Sequence, residues 1–301
     1  MLHELEDIRD FGKIDFLAKQ LVEGFITGLH KSPYHGFSVE FAEHRLYNTG
    51  ESTRHIDWKV FAKTDRLYTK RYEEETNLRC QIVIDNSSSM RYPVKNKGKL
   101  LFSSLAAGAL SHLLQRQRDS VGISIFSNRI DITTDIKSTP SHINKLMVHL
   151  QNLLKDEEEK KPGTIAPVLH EIAEKNRKRS LIIIFSDMFD NENQLEQIFS
   201  GLKHLKHNKH EVLLFHVTDQ KTELNFEFTD RPHEFIDLES GEKIKLQPSE
   251  IKEHFTKAAG TYYKKLKLKC AQFKIDFIEA DINKGYDAVL NAYLIKRAKM
   301  R

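Results

Sequence analysis

The chain has 301 residues, and its 47 basic and 43 acidic side chains give a formal net charge of +4 at pH 7. Hydrophobic residues make up 39% and charged residues 30%, as in ordinary globular proteins, and the intermixed charges give no case for nucleic acid as a ligand. No segment approaches the roughly 18 uninterrupted apolar residues of a membrane span, and the acidic N-terminus is unlike a signal peptide, so we expect a cytoplasmic protein without a membrane span.

The first part of the chain has one regular feature. Residues 16–29 have apolar residues at helical spacing and are predicted to form an amphipathic helix. Residues 35–76 are rich in charge and aromatic side chains but show no clear period. We therefore expect residues 1–78 to form an N-terminal extension that packs on the domain after it.

From residue 79 onward, short apolar stretches alternate with stretches of helical spacing. The predicted strands are residues 82–84, 121–126, 181–185, 212–217 and 275–279. The predicted helices are residues 99–117, 141–154, 166–175, 193–204, 250–272 and 286–297. A β-hairpin excursion is predicted at about 226–246. This alternation predicts an α/β fold over residues 79–301, with a doubly wound, mainly parallel sheet and helices on both faces.

Polar residues follow the predicted strands where those strands end. Asp85 comes directly after the first strand, and the hydroxyl residues Ser87 and Ser89 follow it. Asp187 comes shortly after the most apolar strand, and Thr164 stands at the entrance to a predicted helix. In α/β proteins, ligands gather beyond the carboxyl ends of parallel strands, so we expect these five side chains to face one crevice.

Carboxylate and hydroxyl oxygens suit a hard divalent cation such as Mg²⁺. The alternative is that Asp85 and the serines only cap a helix or form a turn, as such residues often do after a strand. A chance cap does not require matching residues at two other loop positions, so the pattern favours a cation site.

The five residues resemble the metal-ion-dependent adhesion site of von Willebrand factor A-like domains, in which Asp-x-Ser-x-Ser is followed by a Thr and then an Asp. The resemblance implies a von Willebrand factor A-like, Rossmann-type fold that binds Mg²⁺, or Mn²⁺ or Ca²⁺. It implies that Ser87, Ser89 and Thr164 hold the cation directly or through one water, and that Asp85 and Asp187 act mostly through water or hydrogen bonds. A carboxylate of a partner protein would complete the coordination.

The segment before the first strand resembles a signature block of a largely uncharacterised bacterial subfamily of A-domain proteins. The signature residues are Glu40, Arg45, Tyr47, Arg54, Asp57, Trp58 and Glu75. Members are commonly associated with MoxR-type AAA+ ATPases. The resemblance thus implies such an ATPase as a partner, with a client protein of unknown identity, and a chaperone-like adaptor role.

The residues of this block also permit a structural interpretation. Trp58 beside Asp57 and Arg54 is predicted to be a buried anchor with a satisfied ion pair, and direct contact with a ligand is the alternative. The acidic run Glu73–Glu75 is predicted to be exposed, with an approach of one carboxylate to the cation as the alternative.

Competing chemistries lack essential residues. A phosphatase of the haloacid dehalogenase type needs a second acid where Ser87 stands, and the chain has neither a Gly-x-Ser-x-Gly elbow nor a phosphate-binding loop. His204, His207 and His210 are predicted to form a solvated helix end rather than a zinc site. We therefore expect no enzymatic activity. The alternatives are a metal-free structural scaffold of the same fold and, after it, a metal-dependent hydrolase.

Overall fold

The computed structural model describes residues 13–30, 44–47, 58–70, 78–94, 97–155, 164–188, 195–239 and 241–300. Contacts within the chain divide it into two units. The larger unit contains Met1–Ile26 and Leu78–Arg301, and the smaller contains Thr27–Asn77. None of the helices in the described ranges is both long enough and apolar enough to cross a membrane.

Three short elements lie in the ranges 44–47 and 58–70, which belong to the smaller unit. They are β1 (His44–Leu46), α2 (Trp58–Thr64) and β2 (Tyr68–Lys70). The two strands pair antiparallel, with Leu46 opposite Tyr68. Just after β1, the Tyr47 N–H donates a hydrogen bond of 2.9 Å to the carbonyl oxygen of Leu67.

The signature residues fall in or near this unit. Arg45 belongs to β1, whereas Glu40, Arg54, Asp57 and the run Glu73–Glu75 lie outside the described residues. Trp58 is 61% exposed, and its ring meets the edge of Phe61 at a centroid distance of 6.1 Å. The prediction that Trp58 is a buried anchor is therefore wrong. In the described part of this unit, a seven-residue helix and two three-residue strands offer little apolar area to cover an indole ring.

The larger unit contains a six-stranded sheet within the described ranges. Its strands are β3 (Arg79–Asp85), β4 (Ser120–Phe126), β5 (Ile130–Thr133), β6 (Leu181–Ser186), β7 (Glu211–Thr218) and β10 (Asp276–Asp281). The order is β10-β7-β6-β3-β4-β5, and only β5 runs antiparallel to its neighbour. The central strand β3 buries Ile82, Val83 and Ile84 completely. A continuous apolar run is required there because helices cover both faces of the sheet.

Helices cover both sides of this sheet. They are α1 (Lys13–His30), α3 (Gly98–Arg116), α4 (Pro140–Lys155), α5 (Ile165–Lys175), α6 (Leu195–His207), α7 (Pro248–Gln272) and α8 (Asp287–Lys299). One hydrophobic cluster joins α5, α6 and α7 to the sheet. Gly201 brings α6 close to α5, since a Cβ at this position would lie 2.7 Å from the Cβ of Leu169. The predicted α/β fold class is confirmed.

The N-terminal helix α1 packs on α3. Ala18 and Val22 are buried, as the amphipathic helix predicted over residues 16–29 requires, and Ile14 in the preceding turn is also buried. Gly108 of α3 permits this approach, because a Cβ there would lie 3.1 Å from the Cβ of Ala18. An Oδ1–Nε2 contact of 2.9 Å joins Asp15 to His112 of α3.

Most of the predicted strands and helices are present with boundary shifts of one to three residues. The hairpin is also present, with β8 (His233–Ile236) paired antiparallel to β9 (Lys243–Leu246). The sequence did not predict the edge strand β5, whose four residues are too few for a clear period. It also missed the π-helical turn Gln220–Leu224 after β7, which matters for the site described next.

An ion pair between Asp119 and Arg297 fastens α8 to the sheet. Asp119, 1% exposed, accepts hydrogen bonds of 2.5 Å from Arg297 Nε and 3.0 Å from Nη2, and a third of 3.1 Å from the Leu78 N–H. Asp119→Ala leaves the guanidinium and the backbone donor without these partners, so we expect it to lower the free energy of unfolding by about 3 kcal/mol. Urea denaturation measures this change.

The matched control is Asp135→Ala. It removes the carboxylate of an ion pair in which both partners, Asp135 and Lys137, are exposed. We expect this variant to keep the urea midpoint of the wild type, because exposed ion pairs contribute little. Equal destabilisation by both substitutions would contradict a stabilising role specific to the Asp119–Arg297 pair.

Candidate metal centre

The sheet places the ends of β3 and β6 side by side. Residue Ile84 of β3 is paired with Phe185 of β6 in a parallel register. Asp85, the last residue of β3, therefore lies beside the end of β6, where Ser186 is the last residue and Asp187 follows. Asp85 and Asp187 are both buried. The predicted convergence of these two carboxylates at one edge of the sheet is thus present in the structure.

Asp85 organises the loop that follows it. Its Oδ1 accepts a hydrogen bond of 2.9 Å from the Ser87 N–H, and its Oδ2 accepts one of 2.7 Å from the Ser186 hydroxyl. The Oγ atoms of Ser87 and Ser89 lie 3.0 Å apart. Three of the predicted ligands therefore form one cluster, in which Ser87 connects Asp85 to Ser89.

Ser186 was not among the predicted residues. Besides donating to Asp85, its Oγ accepts a hydrogen bond of 2.9 Å from the Met188 N–H. This hydroxyl therefore links the ends of β3 and β6. Ser186 is the last residue of β6, and its sequence context is that of any serine at the end of a strand. Its hydrogen bond to Asp85 depends on the pairing of β6 with β3, which the sequence does not show.

Thr164 reaches the same edge of the sheet from another direction. It is the N-cap residue of α5, and its N–H donates to the carbonyl oxygen of Ser127, just after β4, at 3.3 Å. The end of β4 is in turn joined to the Asp85 loop, since the Asn86 N–H donates to the Phe126 carbonyl at 2.7 Å. In the described part of the chain, no hydrogen bond connects the Thr164 hydroxyl to the other four predicted ligands.

A buried lysine, absent from the sequence prediction, faces this cluster. Lys99 lies in the first turn of α3 and is 1% exposed. Its Nζ lies 2.8 Å from Asp187 Oδ2 and 2.5 Å from Oε1 of Glu223, which belongs to the turn Gln220–Leu224. In the sequence, Lys99 follows Lys95 and Lys97, and such a run is typical of a solvated surface. Only the tertiary structure shows that Lys99 is buried.

The charges of the site depend on one another. Burial raises the pKa of the Asp85 carboxyl, and the nearby carboxylate of Asp187 raises it further. Burial by itself lowers the pKa of Lys99, but Asp187 and Glu223 raise it above its ordinary value, so the amine is an ammonium ion. The site therefore combines buried carboxyl groups with one ammonium group, that of Lys99, which is stabilised by the carboxylates around it.

The donor atoms fit a hard divalent cation. Ser87 and Ser89 provide neutral oxygens, Asp85 and Asp187 provide carboxylates, and the ammonium group of Lys99 is a cation already placed on one of those carboxylates. Within the described ranges, no group of three or more His, Cys, Asp or Glu side chains is placed to hold a metal ion. A cation here would thus need the hydroxyl ligands.

The three histidines near the end of α6 differ in their surroundings. His207 is exposed, as predicted, but His210 is fully buried, and its Nδ1 accepts a hydrogen bond of 3.3 Å from the Ser180 N–H. Burial lowers the pKa of His210. His204 is half-buried and lies with its Nδ1 2.9 Å from Nδ1 of His170 on α5. The predicted solvated helix end is therefore wrong for His204 and His210, because α6 packs on α5 and the chain turns directly into β7.

Three comparisons with known proteins each cover more than two thirds of this chain. The uncharacterized protein Rv1480 of Mycobacterium tuberculosis is 23% identical over 252 residues, which are 83% of this chain and 76% of the relative. A solved aerotolerance-related membrane protein of Bacteroides fragilis matches 73% of this chain and 97% of its own at 14% identity, with a TM-score of 0.47. The SpRpn10 VWA domain matches 72% of this chain and 95% of its own at 12% identity, with a TM-score of 0.37.

The two structural likenesses are weak, so the description of the fold rests on the order and direction of the strands. The family comparison is firmer. The model of the family described as "Protein of unknown function DUF58" matches residues 43–264, which include the smaller unit from β1 onward and the sheet as far as β7. Since this match covers well over half of the chain, the protein belongs to the DUF58 family.

Proposed function

We propose that this protein is a divalent-cation-dependent protein-interaction module. In this proposal it acts in the cytoplasm as an adaptor or recruiter for a MoxR-type AAA+ ATPase during the assembly or maturation of other proteins. The observation that carries the proposal is the cluster of Asp85, Ser87, Ser89 and Asp187 at one edge of the sheet. The ATPase is proposed as the partner because the upstream signature block resembles that of proteins associated with such ATPases.

The resemblance and the hydrogen bonds together suggest the roles of the residues. As the resemblance implies, Ser87, Ser89 and Thr164 would hold Mg²⁺ or a similar cation through neutral oxygens. Asp85 orders the loop by accepting hydrogen bonds from the Ser87 N–H and the Ser186 hydroxyl. When bound, the cation supplies an electrophilic centre that a carboxylate of a partner protein can coordinate.

A role in binding rather than catalysis is supported by the same atoms. Both carboxylate oxygens of Asp85 accept hydrogen bonds, so they are occupied in holding the loop. Ser87 stands where a phosphatase of the haloacid dehalogenase type needs a general acid, and its side chain cannot supply one at neutral pH. We therefore propose that the protein is not an enzyme.

A second candidate, a metal-free structural scaffold, is favoured by one specific observation. The ammonium group of Lys99 lies 2.8 Å from Asp187 Oδ2 and supplies positive charge to the site without any metal. In such a scaffold, Asp85 and Asp187 would serve only to connect loops. The two candidates differ in whether a divalent cation changes the behaviour of the protein.

Cation binding is tested by removing the hydroxyl ligands and keeping both carboxylates. We expect the double substitution Ser87→Ala and Ser89→Ala to weaken Mn²⁺ binding at least tenfold, because two neutral ligands are lost. Isothermal titration calorimetry with Mn²⁺ measures the dissociation constant. The control is Ser141→Ala, an exposed serine of α4, which should bind as the wild type does. Equal affinity of the double variant and the wild type would refute the site.

The proposed partner is tested with the purified MoxR-type ATPase of the same organism. We expect the wild-type protein to retain the ATPase in Mg²⁺, and the Ser87→Ala, Ser89→Ala double variant to retain little of it under the same conditions. The variant is a better control than a chelator, because the ATPase keeps its own Mg²⁺. Retention that is equal for the two proteins would favour the metal-free scaffold, and no retention by either would refute the ATPase as a direct partner.

A further inference from the structure

The candidate metal centre contains an internal cation. The Lys99 side chain is almost completely shielded from water, at 1% exposed, and its Nζ contacts two carboxylates from different parts of the chain. Burying an ammonium group is costly unless it is paired, and here the pairing depends on a predicted metal ligand. Lys99 therefore has to be included in any account of how the site binds a second cation.

The two partners of Lys99 are not equivalent. Asp187 lies inside the site with 5% of its side chain exposed, whereas Glu223 lies on the neighbouring turn with 30% exposed. Glu223 is also held independently of Lys99, because its Oε2 accepts a hydrogen bond of 2.8 Å from the Asp219 N–H. A carboxylate fixed in this way can keep the ammonium group paired when Asp187 is engaged elsewhere.

A divalent cation that used Asp187 would share one buried carboxylate with the ammonium group. Two cations on the same carboxylate repel each other, and the repulsion is strong because little water is present to screen it. The presence of Lys99 thus makes the free energy of metal binding less favourable. Conversely, without Lys99, Asp85 and Asp187 would be two buried carboxylates that repel each other, and Asp187 would lack the ammonium group that now contacts it.

We propose that Lys99 is a built-in competitor for the divalent cation. In the metal-free protein it pairs with both Asp187 and Glu223 and stabilises the site, and when the metal binds it keeps only the pair with Glu223. The consequence is a low affinity for the metal alone, so that a partner carboxylate and the metal are best bound together. This inference rests on the proposed cation site and adds a control on how tightly that site holds its metal.

The test compares Mn²⁺ binding by the wild type, Lys99→Met and Glu223→Gln, using calorimetry with the metal alone. Lys99→Met removes the competing charge but keeps the length of the side chain, so we expect Mn²⁺ to bind roughly tenfold tighter or more. Glu223→Gln removes the alternative carboxylate and should weaken binding several-fold. The control is Lys97→Met, whose ammonium group donates to the Leu154 carbonyl at 2.6 Å and which should bind as the wild type does.

A second readout is thermal unfolding with and without Mn²⁺. Without metal, we expect Lys99→Met to have a lower melting temperature than the wild type. Added Mn²⁺ should raise the melting temperature of Lys99→Met by more than it raises that of the wild type.

The outcomes separate this inference from the proposed function. If Lys99→Met and the wild type bind Mn²⁺ equally, Lys99 is not a competitor, although the cation site stands. If neither binds, both the site and the competition are refuted. Should Lys99→Met fail to fold, Glu223→Gln decides, since this side chain is partly exposed: weaker binding supports the inference, and unchanged binding overturns it.

Discussion

The chemistry of this protein depends on the meeting of two buried carboxylates at the ends of adjacent parallel strands. Asp85 and Asp187 are brought together by the pairing of β3 with β6, and their charges repel. A folded state can keep both only if positive charge or hydrogen-bond donors compensate them. The Ser87 N–H, the Ser186 hydroxyl and the ammonium group of Lys99 meet this requirement, and each comes from a different element of the fold.

The need to compensate the two buried carboxylates can be met by either of two cations, Lys99 or a divalent metal ion. The hydroxyls of Ser87 and Ser89 are neutral, so they contribute ligands without adding to the repulsion between the carboxylates. Lys99 compensates the charge from within, and a divalent cation would do so from solution. Because α3 carries the lysine and the turn after β7 carries Glu223, the proposed competition between the two cations would depend on packing around the site as well as on the ligands themselves.

The sequence predicted the frame of the site well because that frame rests on local patterns. Continuous apolar runs are typical of strands covered on both faces, and an Asp or Ser directly after such a run must lie at the end of the strand. Short or isolated features were less predictable. The strand β5 has four residues, and Trp58 is exposed although aromatic residues are usually covered, because burial depends on what neighbouring segments can supply.

The sequence by itself determined the α/β fold, the order of its main strands and helices along the chain, and the positions of Asp85, Ser87, Ser89 and Asp187 at strand ends. Only the tertiary structure decided that β3 lies beside β6, that Ser186 bonds to Asp85, and that Lys99 is buried against Asp187 and Glu223. The physical reason is that strand ends follow from the polarity of consecutive residues. A contact between residues 99, 187 and 223 instead depends on which segments pack together. The local sequence around a lysine does not indicate which carboxylates it will contact in the folded protein.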